Sequence, residues 1–596
     1  MRLLIVVIMS FFIGKAECVQ AESYLSVDDL HRGMTGIGRT VFQGTRIDTF
    51  QVEILGVLKN VFGPKSDMIL ARLSGGPLAE TGVIAGMSGS PVYIQGKLIG
   101  AVGYSLGAFA KEPIAGITPI GEMMQLLTRT QRDTLSQNDV GLGHWDGLTD
   151  LTDGGVKTLT PVAVPLVFSG FAPEVIVDNR NELMRFGLLP VQGGGGTDLS
   201  LPPGLFEPGA PLGVQLIRGD MSVTGIGTLT HRVGDYVVGF GHPMLFGGST
   251  RMPMTAAYIH QVVASQMLSF KLGVASQPMG VIVQDRAPGI AGVVGTDADM
   301  VPVRIEVASP NHSETFRMEV LHNRELGPIL VRMAVASSLI SAEKLSGETT
   351  VHGAVTLGLR GYAPLRIENA FAGPQGLGLA VLGFTQPLAQ VMQNSFQSVQ
   401  IDSVVFHFQV EEHTQSAQIK GVRLSKGRFE PGDTVQVSVV LSPVLDHVET
   451  VVVDVVLPAY APKGRAMLRV MSENQVLSQE TKRVPGVYEA QNIDELIGLL
   501  SKPNRNDALV VEVLGTQKSL TVGGREIAQL PESVVKALSL SRESGVVQQA
   551  RQAVLCRARV VTRHVLTGNQ TVLISIGEEE EGVMFTEKGG SGEQKQ

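Results

Sequence analysis

Short apolar runs separated by turn-forming residues follow one another between residues 48 and 104. The runs cover residues 50–57, 68–73, 92–94 and 98–102, with Gly, Pro and Asn between them. Runs of this length that are rich in β-branched residues are typical of strands, and the residues between them predict turns. Glycine accounts for 70 of the 596 residues, and valine-rich runs recur far beyond residue 104. The sequence therefore predicts a mainly β fold.

The composition and charge indicate a protein of several folded domains and do not predict a nucleic-acid partner. Hydrophobic residues make up 43% of the chain and charged residues 17%, which is typical of folded domains. At roughly 150 residues per domain, the length predicts about three or four domains. The net charge of −8 and the pI near 5.9 come without a basic block, so a nucleic-acid partner is not predicted. His and Cys residues show no metal-ligand spacing, and neither a metal nor a cofactor is expected.

The first residues have the pattern of an export signal. A basic residue precedes an apolar run over residues 3–13, and small residues suited to cleavage end at Ala21. The run is too short to span a bilayer comfortably. Cleavage after Ala21 would remove Cys18 and leave Cys556 without an intramolecular disulfide partner. We therefore expect a signal peptide over residues 1–21 and a mature chain without a transmembrane segment, in the periplasm, the cell envelope or the extracellular space.

One serine lies in a turn that suits a nucleophile. Ser88 stands in GMSGSP, residues 86–91, where glycines on both sides let the backbone turn sharply. A serine nucleophile needs a base to take its proton and donors to hold the oxyanion that forms on the substrate. The backbone amides of Gly86 and Ser88 are predicted to form that oxyanion hole. The alternative interpretation is that Ser88 is only a polar turn residue before a hairpin.

The residues after Ser88 predict a hairpin that turns at Gln95 and Gly96. An extended peptide can add to the edge of such a hairpin through main-chain hydrogen bonds. We expect Gly103, Tyr104 and Ser105 to hold the substrate in this way.

This loop and hairpin resemble the nucleophile region of chymotrypsin-like peptidases, in which a Gly-x-Ser-Gly-x-Pro loop precedes a hairpin. More closely, TGVIAGMSGSPVYIQGKLIGAV, residues 81–102, resembles the nucleophile region of SpoIVB-type serine peptidases. TFQVEILGV, residues 49–57, resembles the strand that precedes it in those enzymes. The resemblance implies a two-lobed, chymotrypsin-like β-barrel core and a peptidase nucleophile at Ser88.

Among 12 histidines, His242 is the favoured base. It lies in TGIGTLTHRVGDYVVGFGHPMLFGG, residues 224–248, where a strand runs into a Gly-x-Gly-His-Pro corner. This segment resembles the SpoIVB-type strand that leads to the catalytic Gly-His, and residues 280–292 resemble another strand and turn of the same lobe. His31 and His231 are weaker candidates. The remaining histidines are interpreted as satisfied core or surface residues.

Two features differ from the SpoIVB-type pattern. The His lobe precedes the Ser lobe in that family, whereas Ser88 precedes His242 here, which predicts a permuted order of lobes. Catalytic triads are defined by geometry and recur in different chain orders. Relatives carry an Asp shortly before the nucleophile, but residues 70–86 contain none. Asp67, Asp235 and Asp285 are alternative candidates for the acid, and a Ser-His dyad without an acid is a further alternative.

The sequence divides into a series of predicted domains. They are a Ser-bearing β lobe over residues 22–140, a His-bearing β lobe over 141–400, an immunoglobulin-like β-sandwich over 415–470, a small C-terminal α/β module over 471–577 and a disordered acidic tail over 578–596. Helices are predicted over residues 120–127, 255–266, 333–344, 493–500 and 531–540. The tetrapeptide Thr-Gly-Ile-Gly at residues 35–38 returns at 224–227, which suits two β lobes built on a similar plan.

The favoured hypothesis is an exported serine endopeptidase of SpoIVB type. It would cleave envelope or secreted proteins through an acyl-enzyme at Ser88, with His242 as the general base. One alternative is a catalytically degenerate protein that keeps the peptidase fold to bind peptides, while the β-sandwich docks an envelope partner. Another is a structural envelope protein in which both glycine-rich motifs serve only as turns.

Overall fold

The computed structural model describes residues 24–106, 112–133, 159–194, 206–310, 312–343, 347–444, 446–484, 488–516, 519–522, 525–527, 533–534, 536, 547–550 and 552–577. Over these residues the protein is mainly β, which confirms the predicted class. The predicted signal peptide and acidic tail lie outside the described residues, as does most of the predicted helix over residues 531–540.

The N-terminal lobe is a closed antiparallel barrel of six strands. After a short 3-10 helix (Val27–Asp29), its elements are β1 (Thr35–Thr40), β2 (Asp48–Leu58), β3 (Met68–Ser74), α1 (Leu78–Thr81), β4 (Pro91–Ile94), β5 (Lys97–Ser105), β6 (Ile114–Pro119) and α2 (Ile120–Asp133). The strands follow the order β1, β2, β3, β6, β5 and β4, and β4 pairs with β1 to close the barrel. Alternate residues of β2, among them Phe50, Val52 and Ile54, fill its core.

A second closed six-stranded barrel follows in the chain. Between the two barrels come β7 (Thr160–Pro161), β8 (Val164–Ser169), α3 (Pro173–Asp178), α4 (Arg180–Met184) and β9 (Leu188–Gln192). The second barrel consists of β10 (Pro211–Gly219), β11 (Ser222–Val233), β12 (Tyr236–Gly239), β13 (Gly248–Val263), β14 (Phe270–Arg286) and β15 (Gly289–Val294). It closes in the order β10, β13, β14, β15, β12 and β11, because β11 pairs back onto β10. The described residues therefore include two six-stranded antiparallel barrels.

The helix predicted over residues 255–266 is wrong. These residues lie in β13 and in the turn after it, and β13 pairs with β14 along most of its length. The local composition favours a helix, but pairing with β14 up to Val263, and with β10 at Thr255 and Ala256, decides the conformation.

The repeated tetrapeptide has the same packing role in both barrels. Gly38 ends the first copy on β1, and a Cβ there would lie 2.1 Å from the Phe50 ring. Gly227 ends the second copy on β11, and a Cβ there would lie 2.2 Å from the Phe240 ring. In each barrel the last glycine of the repeat thus makes room for a buried phenylalanine. This supports the interpretation that the two lobes follow a similar plan.

The sheet of the second barrel continues into a larger layer covered by two helices. The additional elements are β16 (Met300–Ala308), β17 (Ser313–Leu321), α5 (Leu326–Glu343), β18 (Thr349–Leu359), β19 (Leu365–Gly373), α6 (Gly376–Met392) and β20 (Ile401–Glu411). Both helices contribute to one hydrophobic core shared with the second barrel. The helix predicted over residues 333–344 falls within α5 apart from its last residue, whereas α6 was not predicted.

The C-terminal strands form a sandwich of two main sheets. Its elements are β21 (Ser416–Leu424), β22 (Arg428–Phe429), β23 (Thr434–Pro443), β24 (Glu449–Val456), β25 (Gly464–Ser472), α7 (Glu473–Arg483), α8 (Ile493–Leu500), β26 (Ala508–Gly515), β27 (Ser519–Val522), β28 (Arg525–Ile527), β29 (Val547–Ala550), β30 (Val554–Val561), β31 (Val565–Thr567) and β32 (Gln570–Ile576). One sheet has the order β24, β23, β21 and β31, and the other has the order β22, β32, β25, β26 and β30. Strands from both sides of residue 470 fill one core, so strands of the predicted α/β module complete the predicted sandwich.

Candidate active site

The turn that carries Ser88 lies between α1 and β4 and depends on two glycines. Gly86 and Gly89 have φ of +93° and +92°, a region that L side chains rarely adopt. The amide of Met87 donates to the carbonyl of Ile84 at 2.9 Å, and the amide of Ser90 donates to that of Met87 at 2.9 Å. These bonds and the glycine conformations hold Ser88 at the tip of a compact turn.

Strand β11 of the second barrel holds this turn from the other side. The amide of Thr228 donates to the carbonyl of Ser88 at 2.8 Å, and the Thr228 hydroxyl donates to the carbonyl of Gly86 at 3.0 Å. The Thr230 hydroxyl donates to the carbonyl of Gly89 at 2.7 Å. Because these donors belong to the other barrel, the position of Ser88 depends on how the barrels dock. The sequence showed the Thr-Leu-Thr segment of this strand, but the hydrogen bonds from its hydroxyls to the Ser88 turn were not predicted.

The predicted oxyanion hole is consistent with the hydrogen bonds around the turn. Both Gly86 and Ser88 are buried, and no hydrogen bond among the described residues is donated by either amide. Buried amides of this kind carry a cost unless a ligand or water accepts from them. Two such donors beside a serine hydroxyl are the arrangement that an acyl-transfer oxyanion requires.

His242 lies in the loop between β12 and β13, directly against the Ser88 turn. A Cβ on Gly89 would lie 2.4 Å from the amide nitrogen of Phe240, so the two loops approach at backbone distance. Gly241 follows, and its carbonyl accepts a hydrogen bond from the Thr118 hydroxyl of the first barrel. Phe240 itself has a φ of +67°, which is unusual for a residue with a side chain. Strain of this kind persists where the surroundings hold the backbone, often at functional sites.

A hydrogen bond and burial keep the His242 ring neutral, with Nε2 able to accept a proton. Its Nδ1 lies 2.7 Å from the carbonyl oxygen of Pro243. Since a carbonyl only accepts, Nδ1 carries the proton and Nε2 keeps a free lone pair. Burial lowers the pKa of His242 to about 4, so the ring is uncharged at neutral pH. A backbone carbonyl thus fixes the tautomer, the role that a carboxylate plays in a Ser-His-Asp triad.

Ser88 and His242 both present unpaired polar atoms inside the protein. Ser88 has no exposed surface and His242 is 1% exposed. Neither Ser88 Oγ nor His242 Nε2 has a hydrogen-bond partner among the described residues, so the two are not hydrogen-bonded to each other. Buried polar atoms without partners are rare in folded proteins and call for an explanation such as a catalytic role.

The three predicted acids occupy different places, and none of them is hydrogen-bonded to the His242 ring in the structure. Asp67 pairs with Lys59 at 2.8 Å on the surface of the first barrel. Asp235 lies in the exposed turn between β11 and β12, where its carbonyl accepts from Val294. Asp285 is fully buried beside the loop that follows His242. Of the three, only Asp285 is placed to influence His242.

Asp285 organises the His242 loop through the backbone. Its carboxylate accepts from the amides of Met244 at 2.8 Å, Leu245 at 2.7 Å and Gly247 at 3.2 Å. Burial nevertheless raises the pKa of Asp285 to about 6. These bonds hold the chain just after His242, which makes Asp285 a positioning residue in this loop.

Asp285→Asn is expected to destabilise the protein by about 2–4 kcal/mol, since an amide NH₂ would face donors that now bind a carboxylate. The rate at which Ser88 reacts with an active-site probe should fall as well, because the His242 loop loses its anchor. Urea unfolding and probe kinetics measure the two effects. Asp235→Asn, on the surface of the same barrel, is the matched control and should change neither. Equal behaviour of the two variants would remove Asp285 from the site.

A buried lysine next to the turn was not predicted. Lys271 has no exposed surface, and its stem lies 3.3 Å from where a Cβ on Gly86 would stand. Its Nζ donates to the Thr40 hydroxyl of the first barrel at 2.7 Å. Burial lowers the pKa of Lys271 to about 7. An isolated lysine near the start of a strand carries no signal in the sequence, because only the docking of the barrels brings it to Gly86.

Of the remaining predicted residues, Tyr104 lies beside His242, whereas the two weaker base candidates do not. Tyr104 is buried between His242, at 6.3 Å between ring centroids, and Phe62, at 4.8 Å. A cavity of about 350 Å³ lies between α2 and the loop after His242, with Phe246 and Arg286 in its wall, but neither Ser88 nor His242 lines it. The weaker base candidates lie elsewhere, His31 exposed before β1 and His231 hydrogen-bonded at 2.9 Å to the hydroxyl of Tyr24.

Two closed six-stranded barrels, with a serine turn from one and a histidine loop from the other meeting between them, define the chymotrypsin-like class of architecture. The sequence was also compared with models of known protein families. The family model described as SpoIVB peptidase S55 matches residues 19–124, which include the whole Ser88 turn and its hairpin. The predicted resemblance to SpoIVB-type serine peptidases is therefore confirmed over this segment, which ends before His242. Comparisons with curated proteins and with solved structures found no match.

Further properties concern only the part of the chain that the structure describes. No group of three or more His, Cys, Asp or Glu side chains there is arranged to hold a metal ion. No helix in those ranges is long and apolar enough to cross a membrane. Cys556 is a half-buried free thiol, and burial raises its pKa to about 11.

Proposed function

We propose that the protein is an exported serine endopeptidase of SpoIVB type that acts on envelope or secreted proteins. The observation that carries the proposal is the pair of unpaired buried atoms, Ser88 Oγ and His242 Nε2, on two loops that touch between the barrels. The family match around Ser88 supports peptidase chemistry in particular. Export is proposed from the apolar run over residues 3–13.

The mechanism follows from the placement of these groups. His242 Nε2 takes the proton from Ser88 as Oγ attacks the carbonyl carbon of a peptide bond. The negative charge that develops on the carbonyl oxygen is held by the amides of Gly86 and Ser88. The protonated ring then gives its proton to the leaving amine, and an acyl-enzyme remains on Ser88. Water, activated by His242, releases the acyl group and restores the serine.

The hydrogen bond between Ser88 and His242 forms on this proposal only when substrate is bound. Catalytic hydrogen bonds are often long in unliganded enzymes and tighten in the complex. Thr228 and Thr230 tie the Ser88 turn to the second barrel, which also carries His242, so a local movement of the two side chains is enough to bring Oγ and the ring together.

A fluorophosphonate probe tests this function directly. We expect covalent labelling of the folded protein on the peptide that contains Ser88, and loss of labelling in Ser88→Ala. Ser90→Ala is the matched control, because Ser90 Oγ is equally buried and unpaired in the same turn. That control should label like the wild type. Absence of labelling at Ser88, both in the folded wild type and in a folded variant whose β5 edge is free, would refute a serine peptidase.

The second candidate function is a peptide-binding protein that has lost catalysis. It is favoured by one observation: among the described residues, no carboxylate is hydrogen-bonded to the His242 ring. On this alternative the protein binds peptides along β5 while Ser88 stays unreactive, and the sandwich is free to dock an envelope partner. Peptide binding without probe labelling is the result that would favour it.

A further inference from the structure

The edge of β5 that faces away from β6 is occupied in two consecutive parts. Strand β4 covers the first part, pairing with residues 97–101. The Ser88 turn comes next, since the amide of Gly89 donates to the carbonyl of Val102 at 2.7 Å and the amide of Val102 donates to the carbonyl of Ser90 at 3.0 Å. The edge beyond Val102 is where the sequence predicts that substrate binds.

The part of the edge beyond Val102 is covered by the chain itself. Thr160 and Pro161, which form β7, pair antiparallel with Ser105 and Tyr104. The amide of Val162 then donates to the carbonyl of Gly103 at 2.9 Å. We call Thr160, Pro161 and Val162 the resident strand. It contacts all three residues that were predicted to hold substrate.

The resident strand runs along the edge of β5 toward Ser88. Thr160 lies opposite Ser105 and Val162 bonds to Gly103, so the chain advances along the edge toward the Ser88 turn. A strand advances about 3.3 Å per residue. The hydrogen bond from Val162 to Gly103 therefore lies about 3.3 Å along β5 from Val102, the residue to which the Ser88 turn is bonded. The peptide group that follows Val162 is the next one toward Ser88.

Burial agrees with an occupied site. Val162 and Ala163 are 3% and 6% exposed, and Ser88 and His242 are buried as well. A Cβ on Gly103 would lie 2.3 Å from the carbonyl oxygen of Gly241, so the strand edge, the His242 loop and the resident strand meet at this glycine.

From this register we infer that the resident strand is an internal competitor that occupies the substrate position on β5, and that a substrate peptide enters only after it leaves. The inference rests on the proposed function, since it identifies what regulates the same site. The resident strand acts as an uncut pseudosubstrate, as an inhibitor does when it binds by strand addition.

The resident strand also indicates the class of peptide that fits. An extended segment is required, because pairing uses the main chain on both sides. The position opposite Tyr104 accepts proline, as Pro161 has no N–H to donate there. The position opposite Gly103 takes a residue with a β-branched apolar side chain, as Val162 has, and with a backbone N–H that can donate to the Gly103 carbonyl.

Val162→Pro tests the competitor, because it removes the N–H that donates to Gly103 and keeps the residue apolar. Val162→Ala is the matched control, since it keeps the N–H. Two measurements are made on the full chain, hydrogen exchange of the fragment that contains residues 103–105 and the rate of fluorophosphonate labelling. We expect faster exchange and labelling faster by about tenfold in Val162→Pro, because more of the population has an open site. The control should stay close to the wild type.

The two readouts separate failure of the inference from failure of the proposed function. Unchanged exchange in a folded Val162→Pro variant would overturn the inference, whatever the labelling shows. Faster exchange would support it, and if labelling were then absent, only the peptidase assignment would fail. Mass spectrometry adds a third result, because a wild-type chain cut after Val162 would overturn an uncut competitor.

A peptide added in trans provides a second test. Acetyl-Thr-Pro-Val-Ala-amide should slow the labelling of Val162→Pro more than that of the wild type, because the edge is free only in the variant. Acetyl-Val-Thr-Ala-Pro-amide has the same composition and should have little effect. Equal effects of the two peptides on the variant would argue against the proposed register.

Discussion

His242→Ala is expected to lower the rate at which Ser88 reacts with a fluorophosphonate by about 10²–10⁴-fold, the usual contribution of a general base. The imidazole Nε2 is the buried, unpaired acceptor on the loop that touches the Ser88 turn. Its removal leaves the hydroxyl at its ordinary, weakly nucleophilic pKa. Initial labelling rates of the folded variant measure the effect.

The same rate has an expected pH dependence. Because burial lowers the pKa of His242 to about 4, the base is neutral over most of the range in which an exposed histidine would be protonated. The part of the labelling rate that depends on His242 should therefore stay level down to about pH 5 and fall as the pH drops through about 4. An earlier, separate decrease near pH 6 is expected from protonation of Asp285, whose pKa burial raises to about 6. The free energy of unfolding should also decrease as the pH is lowered. The lowered pKa of His242 favours the folded state above pH 6.5, and this contribution is lost as the pH falls from 6.5 through about 4, because the unfolded chain takes up the proton first. Circular dichroism at each pH separates loss of base from loss of fold.

His231→Ala is the matched control, since His231 is also buried in the second barrel and was the other candidate on this segment. It should keep the labelling rate and its pH profile. A rate equal to that of the wild type in His242→Ala would show that another group takes the Ser88 proton.

Gly89→Ala is expected to lower the free energy of unfolding by about 3 kcal/mol or more. The added Cβ would lie 2.0 Å from the Thr228 carbonyl oxygen and 2.4 Å from the Phe240 amide nitrogen. Both of these are backbone atoms of the second barrel, so no side-chain rotation relieves the clash. The φ of +92° adds conformational strain. Urea unfolding measures the loss, and probe labelling should fall with it because the two loops separate.

Gly96→Ala isolates the conformational part of this effect. Gly96 has a φ of +75° in the β4–β5 hairpin, and nothing lies within 4 Å of an added Cβ. Its expected cost is about 1 kcal/mol, from backbone strain alone. Equal losses in the two alanine variants would contradict the close approach of the barrels at Gly89.

The local structure of the Ser88 region was predictable because its signals are local. Glycines at positions of positive φ, a hairpin turn and short apolar runs specify the turn and the strands around it, whatever the rest of the chain does. The Gly-His-Pro corner was found for the same reason. Residues 255–266 show the limit of such reasoning, since their composition favours a helix while pairing with β14 makes residues up to 263 a strand.

The amino-acid sequence by itself determined the strands around Ser88, the serine turn, its family resemblance and the histidine corner, because short-range backbone preferences and the alternation of side chains specify them. Only the tertiary structure decided that Thr228, Lys271 and Asp285 support the two loops, because these contacts join residues 38 to 185 positions apart. It also decided that Val162 bonds to Gly103. The free edge of a strand can be predicted from sequence, but which segment covers it depends on how the two barrels dock.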